Sequence, residues 1–327
     1  MRITVVGAGA IGCFVGGRLA QAGHEVTAVA RGPHLQALQA GGLRLGDGRG
    51  PDEPIALRAV GRIAEAPDAE LIVVTLKAHQ LPGLADDLAR AAAGAAGIVP
   101  IQNGLAWWYF QAEGAEGEAS GSLRSVDPDG RLAAALPPEK LFPVAAFKSA
   151  EVVAPGVVHH RKTASDSFPL GPVRKERETE AERWRAVFVE AGLPAPAVDV
   201  RQTAWWKLLG NIWANPIGAL TGATVGTIAS FPPSVDLATA LMTEATAVAR
   251  ACGVEPGVVP AERLARGRAV GDVRSSMLQD RERGRPMELD AILGSVVELA
   301  ALRQVPVPSI QALHACLALI QSGRSAN

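Results

Sequence analysis

The sequence predicts an α/β fold, with a doubly wound parallel sheet in the first part of the chain and an all-helical domain after it. Three observations predict this. Short β-branched runs alternate with helical periodicity over residues 3–101. A glycine-rich turn joins the first run to the first helix. From Val200 onward nearly every segment carries helical spacing, with breaks at Pro232-Pro233, Gly253, Pro256 and Gly284-Arg285-Pro286. The 327 residues suffice for two domains of ~150 residues each. The division is expected just after Pro194-Ala195-Pro196, giving domains 1–198 and 199–327.

Taken in order, residues 3–6 form a buried strand. Gly7-Ala8-Gly9-Ala10-Ile11-Gly12 follows at once, then a helix over residues 13–22 that Gly23 ends. Residues 26–30 are the second strand, 35–40 a helix and 41–45 a short strand. Residues 71–76 form another buried strand, 84–93 a helix and 97–101 a strand. Residues 113–130 are rich in Gly, Glu, Ser and Asp and predict a surface loop. Residues 144–147 and 156–160 predict strands of an antiparallel section, and residues 176–189 a helix.

Composition narrows the function classes. The hydrophobic fraction is 48% and the charged fraction 20%, which excludes chain-wide disorder. Lys and Arg total 32 against 33 Asp and Glu, so there is no global electrostatic footprint for nucleic acid. Cys13, Cys252 and Cys316 lie far apart, without metal or redox spacing, as expected of a reduced, cytoplasmic protein. His159 and His160 would point to opposite faces of a strand, so no metal site is expected. Residues 208–235 carry no charge, but Asn211, Asn215 and Pro216 argue for a buried helix packed through Gly218, Gly222 and Gly226 rather than a membrane span. The apolar helical half is compatible with a homodimer, and core burial explains it equally well.

The motif Gly7-x-Gly9-x-x-Gly12 sits between a strand and a helix, the context that turns a common glycine pattern into a dinucleotide site of the Rossmann type. Gly7 permits the tight turn, Gly9 lets backbone approach a pyrophosphate, and Gly12 lets helix and sheet pack closely. Gly7, Gly9, Ala10, Ile11 and Gly12 are therefore candidate cofactor residues, a plain strand-to-helix turn being the alternative. NAD sites place an acid at the end of the second strand; here that place holds Arg31. A guanidinium there suits a 2′-phosphate, which makes the expected cofactor NADP(H), unless Arg31 is only a solvated surface residue. Lys77 and Asn103 follow the strands at 71–76 and 97–101, at the sheet edge where open α/β folds bind ligands. A turn-forming Asn before Gly104 is the ordinary alternative.

Lys207, Asn211 and Asn215 are spaced i, i+4 and i+8, so they share one face of a helix. Beside Trp205-Trp206 and Leu208-Leu209, Lys207 reads either as a desolvated general acid for carbonyl reduction or as a side chain snorkelling from a helix end. Ser276 and Glu288 are a second pair. Ser276-x-x-Gln279 also reads as a capping box, and Glu288 after Pro286 as a first-turn acid favoured by the helix dipole.

Together, the glycine turn, Arg31, Thr75-Leu76-Lys77, Gln102-Asn103-Gly104, Lys207-x3-Asn211-x3-Asn215 and Ser275-Ser276-Met277-Leu278-Gln279-Asp280 with Glu288 make the chain resemble the ketopantoate reductases (2-dehydropantoate 2-reductases) over residues 1–110 and 140–310. The resemblance implies a Rossmann-type domain joined to a helical domain like that of 6-phosphogluconate dehydrogenase, and NADPH-dependent reduction of a 2-oxo acid. It implies catalysis by Lys207 and Glu288, and substrate binding by Asn103, Lys207, Asn211, Asn215, Ser276 and Glu288. Lys77 and Asn103 would line the cofactor side. Two departures bear on substrate choice. Val273 stands where an Asn is common, and the run Trp107-Trp108-Tyr109-Phe110 resembles an insertion beside the cleft. Ketopantoate is the leading substrate. A related NADP-dependent dehydrogenase acting on a different acid, and a non-catalytic NADPH-binding sensor, are the alternatives.

Overall fold

The computed structural model describes residues 1–112 and 121–323. Among these, the chain forms two compact units. One comprises residues 1–102, 111–112 and 131–200, the other residues 103–110, 121–130 and 201–323. The division drawn at 198/199 from the sequence differs by the two short segments 103–110 and 121–130, which cluster with the helical unit, and by residues 199 and 200, which cluster with the first. Local bonding is the reason. Leu105 N–H donates to Ala291 O at 2.9 Å, and the Arg124 and Ser125 N–H groups donate to the Glu298 carboxylate, each at 2.8 Å.

The first unit holds strands β1 (Arg2–Val6), β2 (Glu25–Val29), β3 (Leu43–Gly46), β4 (Glu53–Ile55), β5 (Arg58–Val60), β6 (Leu71–Val74), β7 (Gly97–Pro100), β8 (Ser149–Ala154) and β9 (Val157–Arg161). Five of them make a parallel sheet in the order β5-β2-β1-β6-β7. The chain steps outward from β1 to β2 and β5, then returns to β6 and β7. The order therefore reverses between β1 and β6, the place where such sheets bind ligands. Val6 pairs with Val29 on one side and Val74 on the other, so the three central strands end level. Burial on both faces matches the unbroken apolar run of β6, and β1 and β2 are buried from their second residue on, with Thr4 and Thr27 as buried polar members.

Helix α1 (Ala10–Gln21) starts three residues before the sequence predicts. Gly9 is its N-cap and accepts from Cys13 N–H at 2.8 Å, so the glycines of the turn already carry the first helical bond. The helix lies between two sheets and touches both through adjacent glycines. A Cβ on Gly16 would meet Val5 and Val26 of the parallel sheet; one on Gly17 would meet Leu43, Leu45 and Ile55 of the second sheet. That second sheet runs β4-β3-β9-β8, with β3 and β9 parallel and the outer pairs antiparallel. Helices α2 (Gly32–Gly41), α3 (Ala85–Gly94), α4 (Arg131–Ala135) and α5 (Glu178–Glu190) complete the unit.

One sequence expectation fails here and another holds in part. Residues 144–147 make only single bridges, Val144 to Leu170 and Phe147 to Ser167, and the strand begins at Ser149. Pro143 and Pro169 flank those bridges and have no N–H to extend a ladder. The described part of the loop predicted at 113–130 has no helix or strand, as expected, but it is not wholly at the surface. Ser122, Leu123, Val126 and Asp127 are buried, with Ser122 Oγ donating to Asp127 Oδ2 at 2.9 Å. Residues 113–120 lie outside the described residues.

The second unit is helical: α6 (Val200–Thr221, whose first residue groups with the first unit), α7 (Val225–Ser230), α8 (Pro232–Ala251), α9 (Pro260–Val270), α10 (Ser276–Glu282), a π turn (Asp290–Gly294), α11 (Ser295–Arg303) and α12 (Pro308–Ser322). Helix α8 buries Ala238, Leu241, Met242, Ala245, Val248 and Ala249, one stripe at helical spacing. Each of the larger side chains in it contributes about 1.5–3 kcal/mol by leaving water. Gly267 lets α9 close on the Trp213 ring, which would stand 2.7 Å from a Cβ there. Among the described residues no helix is long and apolar enough to cross a membrane, and no cluster of three potential metal ligands occurs.

Candidate active site

In the first unit the glycine turn lies at the reversal point of the sheet. Gly7 has φ +107°, and a Cβ on it would stand 2.8 Å from Leu76 N, the backbone following β6. A Cβ on Gly12 would collide with the Gly7 carbonyl and the Thr75 hydroxyl. That hydroxyl donates to Gly7 O at 2.5 Å and holds the turn against β6. Gly9 differs from both, with nothing within 4 Å of the place its Cβ would take. Among the described residues no side chain caps α1, and its first turn holds no acid to compete for the N–H groups of Ala10, Ile11 and Gly12. Two glycines pressed against backbone and one open above a bare helix N-terminus fit the pyrophosphate of a dinucleotide.

Arg31 caps α2 directly after β2, is exposed, and has no acid in the turn that follows it. Val29, two residues before it, accepts the N–H groups of Gly7 and Ala8 at 3.3 and 3.0 Å, so Arg31 leaves the sheet beside the glycine turn. Lys77 follows β6 at the same edge, where its backbone N–H is held by Gln80 Oε1 at 3.1 Å. Gln102 ties the ends of β6 and β7, donating from Nε2 to Val74 O at 2.8 Å and to Leu76 O at 3.3 Å.

In the second unit α6 carries Lys207, Asn211 and Asn215 on one face, successive members ~40° apart. Trp205, Leu208 and Leu209 beside the lysine are fully buried. Burial pushes the Lys207 ammonium down to about 8, and the Glu288 carboxylate pulls in the opposite direction. Glu288 is itself buried and accepts from Asn103 Nδ2 at 3.0 Å. Ser276 Oγ donates to Asn215 Oδ1 at 3.4 Å. Asn211 Nδ2 is buried without a hydrogen-bond partner among the described residues. Buried donors are rarely left so, and one on the lysine's own helix face fits an acceptor supplied by a ligand.

Residues separated by up to 185 positions thus meet in one unit. The structure corrects the helix-start reading of Ser276. Ser275 is the N-cap, its Oγ accepting from Leu278 N–H at 3.3 Å, which leaves the Ser276 hydroxyl to Asn215. Glu288 precedes its helix instead of sitting in the first turn. Trp107, Trp108 and Tyr109 are core residues of the helical unit rather than cleft aromatics. Tyr109 Oη accepts from Trp205 Nε1 at 2.9 Å and from Arg201 Nη2 at 3.3 Å. Sequence reasoning gave no role to Arg263, whose guanidinium stacks 3.5 Å from the Trp206 ring centre and is pushed down to about 10 by burial and by Arg266. The small residue Gly210, one turn after Trp206, was the available signal, since it leaves room for that guanidinium.

Residues 3–111 match the family Ketopantoate reductase PanE/ApbA, and residues 199–321 match the family of its C-terminal part. The 2-dehydropantoate 2-reductase of Mesorhizobium japonicum is 38% identical over 317 residues, 96% of this chain and 96% of its own. The chain belongs to the ketopantoate reductase family. Solved structures agree. The 2-dehydropantoate 2-reductase of Geobacter metallireducens GS-15 superposes with a TM-score of 0.84 at 26% identity, covering 98% of this chain and 100% of that one. The PanE/ApbA family ketopantoate reductase of Ralstonia eutropha JMP134 gives 0.80 at 28% identity, covering 99% and 100%. As a ketopantoate reductase family member, the protein is an oxidoreductase dependent on a nicotinamide dinucleotide.

Proposed function

We propose that the protein reduces 2-dehydropantoate (ketopantoate) to pantoate with NADPH, a step of pantothenate biosynthesis. The observation that carries this reading is a buried lysine with its pKa near 8, set beside a buried carboxylate and an unpartnered amide. Gly7, Gly9 and Gly12 would hold the pyrophosphate of NADPH, which when bound would supply the hydride that reduces a keto carbon. Lys207 Nζ gives its proton to the keto oxygen as that oxygen takes up negative charge, and regains one from solvent. A pKa near 8 leaves the lysine mostly protonated at neutral pH while making the proton easier to release than from an ordinary lysine. Glu288 keeps that pKa from falling further, and Asn103 holds the Glu288 carboxylate in place. Asn211, Asn215 and Ser276 offer the substrate hydrogen-bonding groups. Arg31 would hold the 2′-phosphate, which would favour NADPH over NADH.

Steady-state assays with ketopantoate and NADPH test the reading, with turnover expected. Folded, NADPH-binding protein that leaves ketopantoate unreduced sinks the substrate assignment. A second reading, reduction of a different 2-oxo acid, is favoured by Val273. Its apolar side chain offers no hydrogen bond, and a missing hydrogen-bonding group shifts preference among analogues by a few kcal/mol. A panel of bulkier 2-oxo acids separates the two through kcat/KM.

A further inference from the structure

The stretch that follows Glu288 contains one residue more than a regular helix would hold. In an α-helix the Ser295 N–H bonds the carbonyl four residues back, Ala291 O. Here it bonds Asp290 O, five residues back. The π turn therefore releases the Ala291 carbonyl from the helical ladder, and two other groups take it up. Leu105 N–H donates to it at 2.9 Å and the buried Ser295 hydroxyl at 2.7 Å. Gly104 fits against the same carbonyl. Its φ is +76°, and a Cβ there would collide with Ala291 O. One residue earlier, Asn103 donates to Glu288. Three consecutive residues are thus fastened to the stretch 288–295 by a side-chain bond, a close approach and a backbone bond.

We propose that this π turn is a positioning device, in which the freed Ala291 carbonyl anchors Leu105 and so holds the Asn103 amide on Glu288, with Gly104 as a positioning residue. Turn and loop depend on each other. Without Leu105 the released carbonyl keeps only the Ser295 hydroxyl, and without the turn that carbonyl belongs to Ser295 N–H and has less to offer the loop. A π turn is rare and is frequently found at functional sites. A Gly at 104 follows from the same contact, since the left-handed backbone and the absent Cβ are both needed for Leu105 to reach Ala291 O. The catalytic consequence rests on the roles proposed above for Glu288 and Lys207; the anchoring itself does not.

The test combines amide exchange, NMR and kinetics on the whole chain. In the wild type the Leu105 amide should exchange as slowly as the interior amides of α11, and the Asn103 side-chain amide resonances should move on Glu288→Gln. In Gly104→Ala the Leu105 amide should exchange at least about tenfold faster, and the Asn103 resonances should no longer respond to Glu288→Gln. Gly104→Ala should lower kcat by about 10²-fold with NADPH affinity kept, as expected of a small misplacement near the chemistry. In an Asn103→Ala background the same change should cost less than about threefold more, whereas independent effects would multiply. Ser295→Ala, which leaves the Leu105 bond, should cost less than about threefold in kcat. Rapid exchange of Leu105 in the wild type, or multiplicative losses in the two variants, overturns the proposal. The wild-type exchange measurement decides even if Gly104→Ala does not fold. Absence of ketopantoate turnover in the wild type counts against the reduction reading alone, because the exchange and resonance measurements need no turnover.

Discussion

The glycine turn and the lysine cluster are built on opposite principles. The turn is nearly all backbone: Gly7 and Gly12 pressed against neighbouring main chain, Gly9 open, and one hydroxyl from Thr75 to pin the loop. It contains no buried charge. The cluster is nearly all side chain. Lys207, Glu288, Asn103 and Asn211 come from three separate parts of the chain, and a buried ammonium and carboxylate stand where apolar residues would pack at lower cost. The difference separates two tasks. A backbone cradle recognises a phosphate group common to many dinucleotides, whereas a desolvated lysine is a perturbed acid suited to one proton transfer. Changes in the first should therefore alter cofactor binding, and changes in the second should alter chemistry.

Lys207→Ala breaks the comparison most strongly. It should lower kcat by about 10²–10⁴-fold and leave the NADPH dissociation constant unchanged. A loss below about threefold would remove the lysine from the role of acid. Arg31→Ala is the counterpart in the first unit. Loss of a charge-assisted hydrogen bond is worth ~1.5–3 kcal/mol, or roughly 10–150-fold in NADPH affinity. NADH affinity and kcat should stay as they are. Titration of both cofactors against both proteins checks this, and an unchanged NADPH-to-NADH preference rejects the 2′-phosphate assignment.

The contrast also explains what could be read from the residue order. The turn was legible because its parts lie within a few positions, and a strand before it and a helix after it are local patterns. The level ends of β1, β2 and β6 then follow from parallel pairing. The i, i+4, i+8 row on α6 was legible for the same reason. Nothing local told that Asn103 would reach Glu288, or whether Lys207 was desolvated or snorkelling, because burial is set by the packing of distant elements. The aromatic run at 107–110 misled in the same way. Three of its four members serve the helical core, and only the tertiary contacts of Tyr109 with Trp205 and Arg201 reveal it.

Asn211 sharpens the comparison at smaller scale. A structural amide holds the fold together, so its loss should cost stability. Asn211 Nδ2 bonds nothing among the described residues, so Asn211→Ala should leave the melting temperature of the free protein unchanged or slightly higher. The KM for the 2-oxo acid should rise by about 5–10-fold, the worth of one hydrogen bond. A lowered melting temperature with unchanged KM would make the residue structural after all.

The finest distinction is electrostatic. If Lys207 is the acid, as proposed, reduction needs it protonated, so kcat should be level at low pH and fall as pH rises through about 8. Burial sets that value low and Glu288 holds it up. Glu288→Gln keeps an acceptor for the Asn103 amide but removes the charge. The lysine then loses its proton more readily, and the falling limb should move to lower pH. Activity at pH 8 should drop further than activity at pH 6, whereas NADPH affinity in the first unit should show no matching change. Should the limb stay in place, the titrating group is not a lysine that senses Glu288, and the proton must come from elsewhere.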